Sequence, residues 1–89
     1  MQVRKLRVLR LKYHISLVEL SRACGISPQR ISEIELNPGG ITDVTVAKLL
    51  DGLADVIQRR SHTQLALQAD FDRTKYTLME PVGETDYAL

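Results

Sequence analysis

Residues 16–35 read SLVELSRACGISPQRISEIE, and the fold turns on how this stretch is punctuated. Ser16-Leu17-Val18-Glu19 has the form of a capping box, in which the hydroxyl accepts from the third helical N–H and the glutamate reaches back to the cap. Ile15 before the cap and Leu20 at the fourth helical position complete a hydrophobic staple. The helix opened this way is expected to stop near Cys24, with Gly25 taking a left-handed conformation. Ser27 then caps a further helix with Pro28 at its first position, where a missing N–H costs nothing. Ile26 and Ile31 repeat the staple spacing. Ile31 and Ile34 point inward, which leaves Gln29, Arg30, Ser32 and Glu33 mostly outward. Asn37-Pro38-Gly39-Gly40 ends the helix.

Upstream, Val3, Leu6, Val8 and Leu9 fit a helix over roughly residues 3–12 with a basic outer face. Downstream, Thr42-Asp43 offers the next N-cap, followed by Val46, Leu49, Leu50, Leu53 and Ile57 at three- and four-residue steps. The tail reads two ways. Leu65, Leu67, Ala69 and Phe71 alternate as in a strand, while Leu50, Leu53, Ile57, Leu67, Phe71 and Leu78 fall on a helical spacing. The second pattern, rich in good helix formers, predicts a helix from about 64 to 79, either separate from its predecessor or continuous with it. Pro81-Val82-Gly83 stops it, and Glu84 to Leu89 form an acidic frayed end. The chain thus reads as an all-α bundle over residues 1–60 with a C-terminal helical extension over 61–89, a β-hairpin being the alternative for that extension.

The chain has 89 residues, of which 44% are hydrophobic, 26% charged and 4% aromatic. That is a globular composition and the size of one small domain. A core this small makes a deep catalytic pocket improbable, so no enzyme is expected. No Ser/His/Asp set, Cys/His set or Gly-rich phosphate loop appears. The single Cys excludes an internal disulfide and a cysteine-built zinc site; Cys24 reads as a small core residue. His14 and His62 have no neighbouring ligand partners, and neither a metal nor another cofactor is expected. There is no run of 18 apolar residues for a membrane span, and MQVRKLRVLR lacks the apolar region of a signal peptide, so the expected compartment is the cytoplasm. The net charge of +1 hides an asymmetry: residues 1–30 hold seven positive residues and one negative, residues 31–89 five positive and ten negative. A basic N-terminal third suggests a surface facing a polyanion.

Two helices joined by a short turn at Gly25, the second opened by Ser-Pro, make a helix-turn-helix pattern. An α-helix fits the major groove of B-DNA, and its N-terminal residues meet base edges. The N-termini of both helices also present free N–H groups and positive dipole ends that suit phosphates. At this level the sequence resembles the helix-turn-helix of the Cro and phage-repressor type, the xenobiotic response element family. Leu20, Ser21, Gly25, Ile26, Ser27, Ile31, Ile34 and Glu35 carry the resemblance, and Thr45, Val46, Leu49 and Leu53 keep register downstream. It covers about residues 3–58 and implies a lambda-repressor-like bundle.

The resemblance implies base-reading positions at Ser27, Pro28, Gln29, Ser32 and Glu33. It implies phosphate-facing positions at Ser16, Leu17 and the loop 37–41, with Asn37 and Gly39 in that loop; Arg22 and Arg30 join them as cations. It also pairs Arg10 with Glu35. Three positions depart from the pattern. Leu17 stands where Gln is usual, the loop has no Lys or Arg, and Glu33 puts a carboxylate where bases or phosphates would be.

The expected function is a sequence-specific DNA-binding transcriptional regulator that binds double-stranded DNA as a homodimer over half-sites about one helical turn apart. No small-molecule ligand and no membrane partner is expected. The alternatives are a protein-interaction module that keeps the fold with weak or lost DNA binding, and an antitoxin whose tail grips an enzyme. The apolar residues of the tail on an otherwise complete body point to dimerisation through Ile57, Leu67, Phe71 and Leu78 packed against their symmetry mates.

Overall fold

The computed structural model describes residues 2–37, 39–60 and 65–83. In chain order the elements are β1 (Gln2–Arg4), α1 (Lys5–Lys12), α2 (Leu17–Cys24), α3 (Pro28–Leu36), α4 (Asp43–Arg60), α5 (Leu65–Thr74) and β2 (Pro81–Gly83). The expected acidic end and the start of the tail helix at Gln64 lie outside the described residues, as does His62.

The punctuation of α2 to α4 works through side-chain caps. The Ser16 hydroxyl accepts from the Glu19 N–H at 3.0 Å and the Ser27 hydroxyl from the Arg30 N–H at 3.1 Å. Thr42 Oγ1 accepts from the Thr45 N–H at 3.2 Å and so opens α4. Gly25 closes α2 at φ 77°, where any Cβ would be strained. Ile15 and Leu20 are both buried, as the staple requires. The second half of the capping box does not form as expected: the Glu19 carboxylate takes the guanidinium of Arg60 from the end of α4, which also donates to the Tyr13 carbonyl at 2.8 Å. A charged long-range partner outcompetes a local amide.

α4 packs chiefly on α2. The two helices approach so closely that a Cβ on Gly52 would lie 2.8 Å from the Cys24 Cα. Leu6, Leu9, Ile15, Leu20, Ile31, Ile34, Leu49, Leu53, Val56 and Ile57 form one core, and Leu67, Phe71 and Leu78 of the tail belong to it.

The two ends of the chain depart from the expectation. Residues 2–4 are extended and pair antiparallel with β2, Val3 opposite Val82 and Arg4 opposite Pro81, so α1 begins at Lys5 and not at residue 3. No side chain caps α1. Its first amides are served instead by carbonyls of the C-terminal segment, Lys5 N to Glu80 O at 3.0 Å and Leu6 N to Leu78 O at 2.8 Å. This satisfies orphan donors that a helix start otherwise leaves open. The tail helix ends at Thr74, not near 79. The Thr74 hydroxyl donates back to the Asp70 carbonyl at 2.6 Å, and Thr77 N to Thr74 O and Glu80 N to Thr77 O close successive turns. The strand-like alternation from Leu65 to Phe71 is helical throughout.

Ile57, Leu67, Phe71 and Leu78, expected to face symmetry mates, are buried inside the single chain. Leu67, Phe71 and Leu78, from α5 and the turn after it, fill a side of the core that residues 1–60 leave open. Asp70 fastens α5 to the end of α1, accepting from Lys12 at 2.8 Å and from the Tyr13 hydroxyl. These donors hold the Asp70 carboxyl at about 2, below the ordinary carboxylate value, the Lys12 hydrogen bond contributing most.

Candidate nucleic-acid interface

α3 has an inner and an outer side. Ile31, Ile34 and Glu35 are buried, while Ser27, Gln29, Arg30, Glu33 and Asn37 are exposed and Pro28 and Ser32 half-buried. The inner side is fixed by charge as well as packing. Arg10 Nε and Nη2 donate to the two oxygens of Glu35, both at 2.9 Å, and Arg10 Nη1 donates to the Ile15 carbonyl at 2.9 Å. Arg7 stands 3.8 Å from the same carboxylate. A fork-to-fork pair of this kind fixes α3 in rotation relative to α1.

The five residues expected at base edges lie together on the first two turns of α3 and its cap. Ser27 is committed to its cap through one lone pair. Gln29 is exposed with no hydrogen bond recorded among the described residues. Glu33 sits 3.4 Å from Arg30 on the same face, so the carboxylate is partly answered by its own helix.

The expected phosphate contacts fare unevenly. Ser16 is exposed at the start of α2, where its hydroxyl accepts from the Glu19 N–H. Leu17 is half-buried and packs against the core. Arg22 is exposed at the last turn of α2. In the loop, the Asn37 side-chain amide donates to the Glu33 carbonyl at 3.0 Å and the Gly39 N–H to the Asn37 carbonyl at 2.6 Å. One Asn37 side-chain N–H and the Gly39 N–H are thus engaged within the chain, while the amide's second N–H is left for another acceptor.

The basic N-terminal third does not form a basic face. Arg4 and Arg10 are buried, Arg7 leans on Glu35, Lys12 pairs with Asp70, and Lys5 lies 3.8 Å from Glu80. Arg22 and Arg30 are the positive residues of that third on the two motif helices, both exposed. A charge count places cations in the sequence but not on the surface, and here most of them are structural.

Arg4 is the residue that sequence reasoning missed. Its spacing with Val3 and Leu6 suggested an outer-face cation, yet its guanidinium is buried and donates to three carbonyls, Ile34 at 2.9 Å, Met79 at 2.7 Å and Gly39. An open cleft of about 280 Å³ runs beside it, between Arg30, Glu33 and Asn37 on α3 and Gly39 to Ile41 of the loop. Among the described residues no three His, Cys, Asp or Glu side chains gather as metal ligands, and no helix is long and apolar enough to cross a membrane.

No curated protein and no solved structure matches the chain. The helix-turn-helix family model matches residues 6–54, which takes in α1 to α3 and most of α4. With the cap-and-staple punctuation, the Gly25 turn and the outward face of α3 in place, the chain belongs to the helix-turn-helix family of the Cro and C1 phage-repressor type, a family of DNA-binding regulators.

Proposed function

We propose that this regulator reads a specific DNA sequence by laying the N-terminal half of α3 in the major groove, with Ser27, Pro28, Gln29, Ser32 and Glu33 at the base edges. The observation that supports this most is the division of α3. One side is held by the Arg10–Glu35 fork, while the other presents Gln29 and Glu33 to solvent on adjoining turns. Gln29 suits a bidentate contact with adenine, and Glu33 suits the amino group of cytosine. The exposed Ser16 hydroxyl and Arg22 flank the groove as phosphate contacts. With few exposed cations on the motif, salt dependence is shallow. Two neutralised phosphates per chain, at Arg22 and Arg30, give a slope of about −2 in log affinity against log salt.

One motif reads only a half-site, which discriminates poorly against a genome. The reading therefore includes two chains on half-sites about 10 base pairs apart, as in the cytoplasm of a cell that carries its operator. Their contact uses a surface other than Ile57, Leu67, Phe71 and Leu78, which one chain already buries. Selection from a random DNA pool tests both parts. An enriched inverted repeat supports groove reading by a pair. An enriched single half-site withdraws the pair. A pool that stays random at low and moderate salt overturns the reading.

A further inference from the structure

We infer that Arg4 is a positioning residue for DNA reading, through which the C-terminal segment sets the end of α3 and the loop that follows it. The inference rests on the proposed use of α3 in the groove. Arg4 is buried but for an edge on the open cleft; its guanidinium joins three pieces of chain that are far apart in sequence, the last turn of α3 at Ile34, the loop at Gly39 and the C-terminal turn at Met79. The first of these contacts answers a defect written into the sequence. In a helix the Ile34 carbonyl would look to the amide of residue 38, which is proline and has no N–H. Arg4 Nε supplies the missing donor at 2.9 Å.

Arg4 is held in turn by the C-terminal segment. Its backbone lies opposite Pro81 in the β1–β2 ribbon, and the next two amides are bound by the carbonyls of Glu80 and Leu78. The ribbon thus fixes the backbone from which the guanidinium reaches Ile34 and Gly39, and so ties the C-terminal segment to the end of α3 and its loop. Both Arg4 and residues 78–83 lie outside residues 6–54, so this brace is an addition to the helix-turn-helix core. Its target is the stretch that forms one wall of the cleft beside Arg30 and Glu33.

The test compares Arg4→Met with Leu67→Ala, which weakens the tail's packing but keeps the Arg4 guanidinium and all three of its acceptors in the chain. Each full-length variant is studied at a temperature where circular dichroism shows it folded. Two readouts are taken: affinity for the selected DNA site, and amide exchange with chemical shifts at Gly39, Gly40 and Ile41 without DNA. Arg4→Met is expected to lose about tenfold or more in affinity and to speed loop exchange by about tenfold, the scale of losing charge-assisted hydrogen bonds. Leu67→Ala is expected to change neither by more than about twofold. If Arg4→Met does not fold, Arg4→Lys carries the same comparison, since an ammonium cannot span three carbonyls in a fork. Loop exchange and affinity equal to those of Leu67→Ala would overturn the inference. Should the parent protein bind no DNA, the groove reading fails by itself, and the loop amides alone decide: loosened in the Arg4 variant they support the brace, unchanged they refute it.

Discussion

Two Arg–Glu pairs sit on opposite sides of α3, and they have almost nothing in common. Arg10 and Glu35 meet in a two-bond fork at 2.9 Å with side chains 6% and 0% exposed. Arg30 and Glu33 meet at 3.4 Å, three residues apart, with side chains 57% and 53% exposed. The first pair has lost its water and depends on its partner; the second keeps its water and can part at little cost. The inner side of the helix is thus a fixed mount, and the outer side stays adaptable, as the proposed groove reading requires. The same residue types do both jobs, and burial decides which.

Breaking the mount should give the largest effect. Glu35→Ala leaves Arg10 buried without its counter-charge, keeping only the Ile15 carbonyl, and is expected to cost roughly 3–5 kcal/mol of stability. A small domain has little more than that to lose, so a chemical denaturation curve should show the variant largely unfolded at 25 °C. A midpoint matching the parent would mean that the fork contributes nothing beyond what water offers. Gln29→Ala probes the other side. It is expected to leave the melting curve unchanged and to cost roughly 1–3 kcal/mol of affinity on the selected site, with relaxed preference at one base pair. An unchanged preference in the selected pool would remove Gln29 from the reading set.

How much of this was legible in the sequence follows from the range of each interaction. Caps and staples act over three to five residues, so Ser16, Gly25, Ser27 and Thr42 announced both ends of α2, the start of α3 and the start of α4, while the end of α4 stayed open. The Arg10–Glu35 pair spans 25 positions and is implied only by the family resemblance. Arg4 and Met79 are 75 positions apart. Nothing local marks Arg4 as buried, because an arginine beside Val3 and Leu6 looks the same whether it faces water or three carbonyls. The helical reading of residues 3 and 4 failed for the same reason, since the partner strand lies at the other end of the chain. The tail stripe was read correctly as apolar and incorrectly as available, because spacing shows which residues share a face and not what that face covers. The charge asymmetry misled similarly: a sum over residues 1–30 cannot separate Arg22, which meets solvent, from Arg10, which meets Glu35.

A smaller effect is expected where the tail meets α1. Asp70 is held at about 2, below the ordinary carboxylate value near 4, by Lys12 and Tyr13. A depressed folded-state value means the ionised form is the one that stabilises. The contribution is full above the ordinary value and is lost as pH falls from about 4 through about 2. Asp70→Asn is expected to cost about 1 kcal/mol at pH 7, low in the range for charged hydrogen bonds because Lys12 is half-exposed. The gap between parent and variant should narrow as pH falls through about 2 and close only below it. Denaturation midpoints across that window check it, and a gap that persists unchanged would place the stabilisation in packing, not charge.

The smallest change in stability and the most informative in binding is expected from Glu33→Gln. Stability should move by no more than about 0.5 kcal/mol, because an exposed pair three residues apart contributes little. Binding should respond in two opposite ways. Removing a carboxylate from the groove face lessens repulsion and releases the Arg30 guanidinium, which Glu33 holds at 3.4 Å. Affinity for random DNA should therefore rise, while the salt slope stays at about the −2 per chain that Arg22 and Arg30 already supply. At the same time a neutral amide no longer accepts from cytosine with a full charge, so preference at one position of the selected site should fall. Titrations on random and selected DNA at two salt concentrations separate these effects. If affinity for both DNAs rises by the same factor, Glu33 is only a repulsive neighbour of the groove and Gln29 reads without it. If affinity for the selected site drops while random binding rises, then the carboxylate is the residue through which the outer face exchanges electrostatic affinity for sequence discrimination.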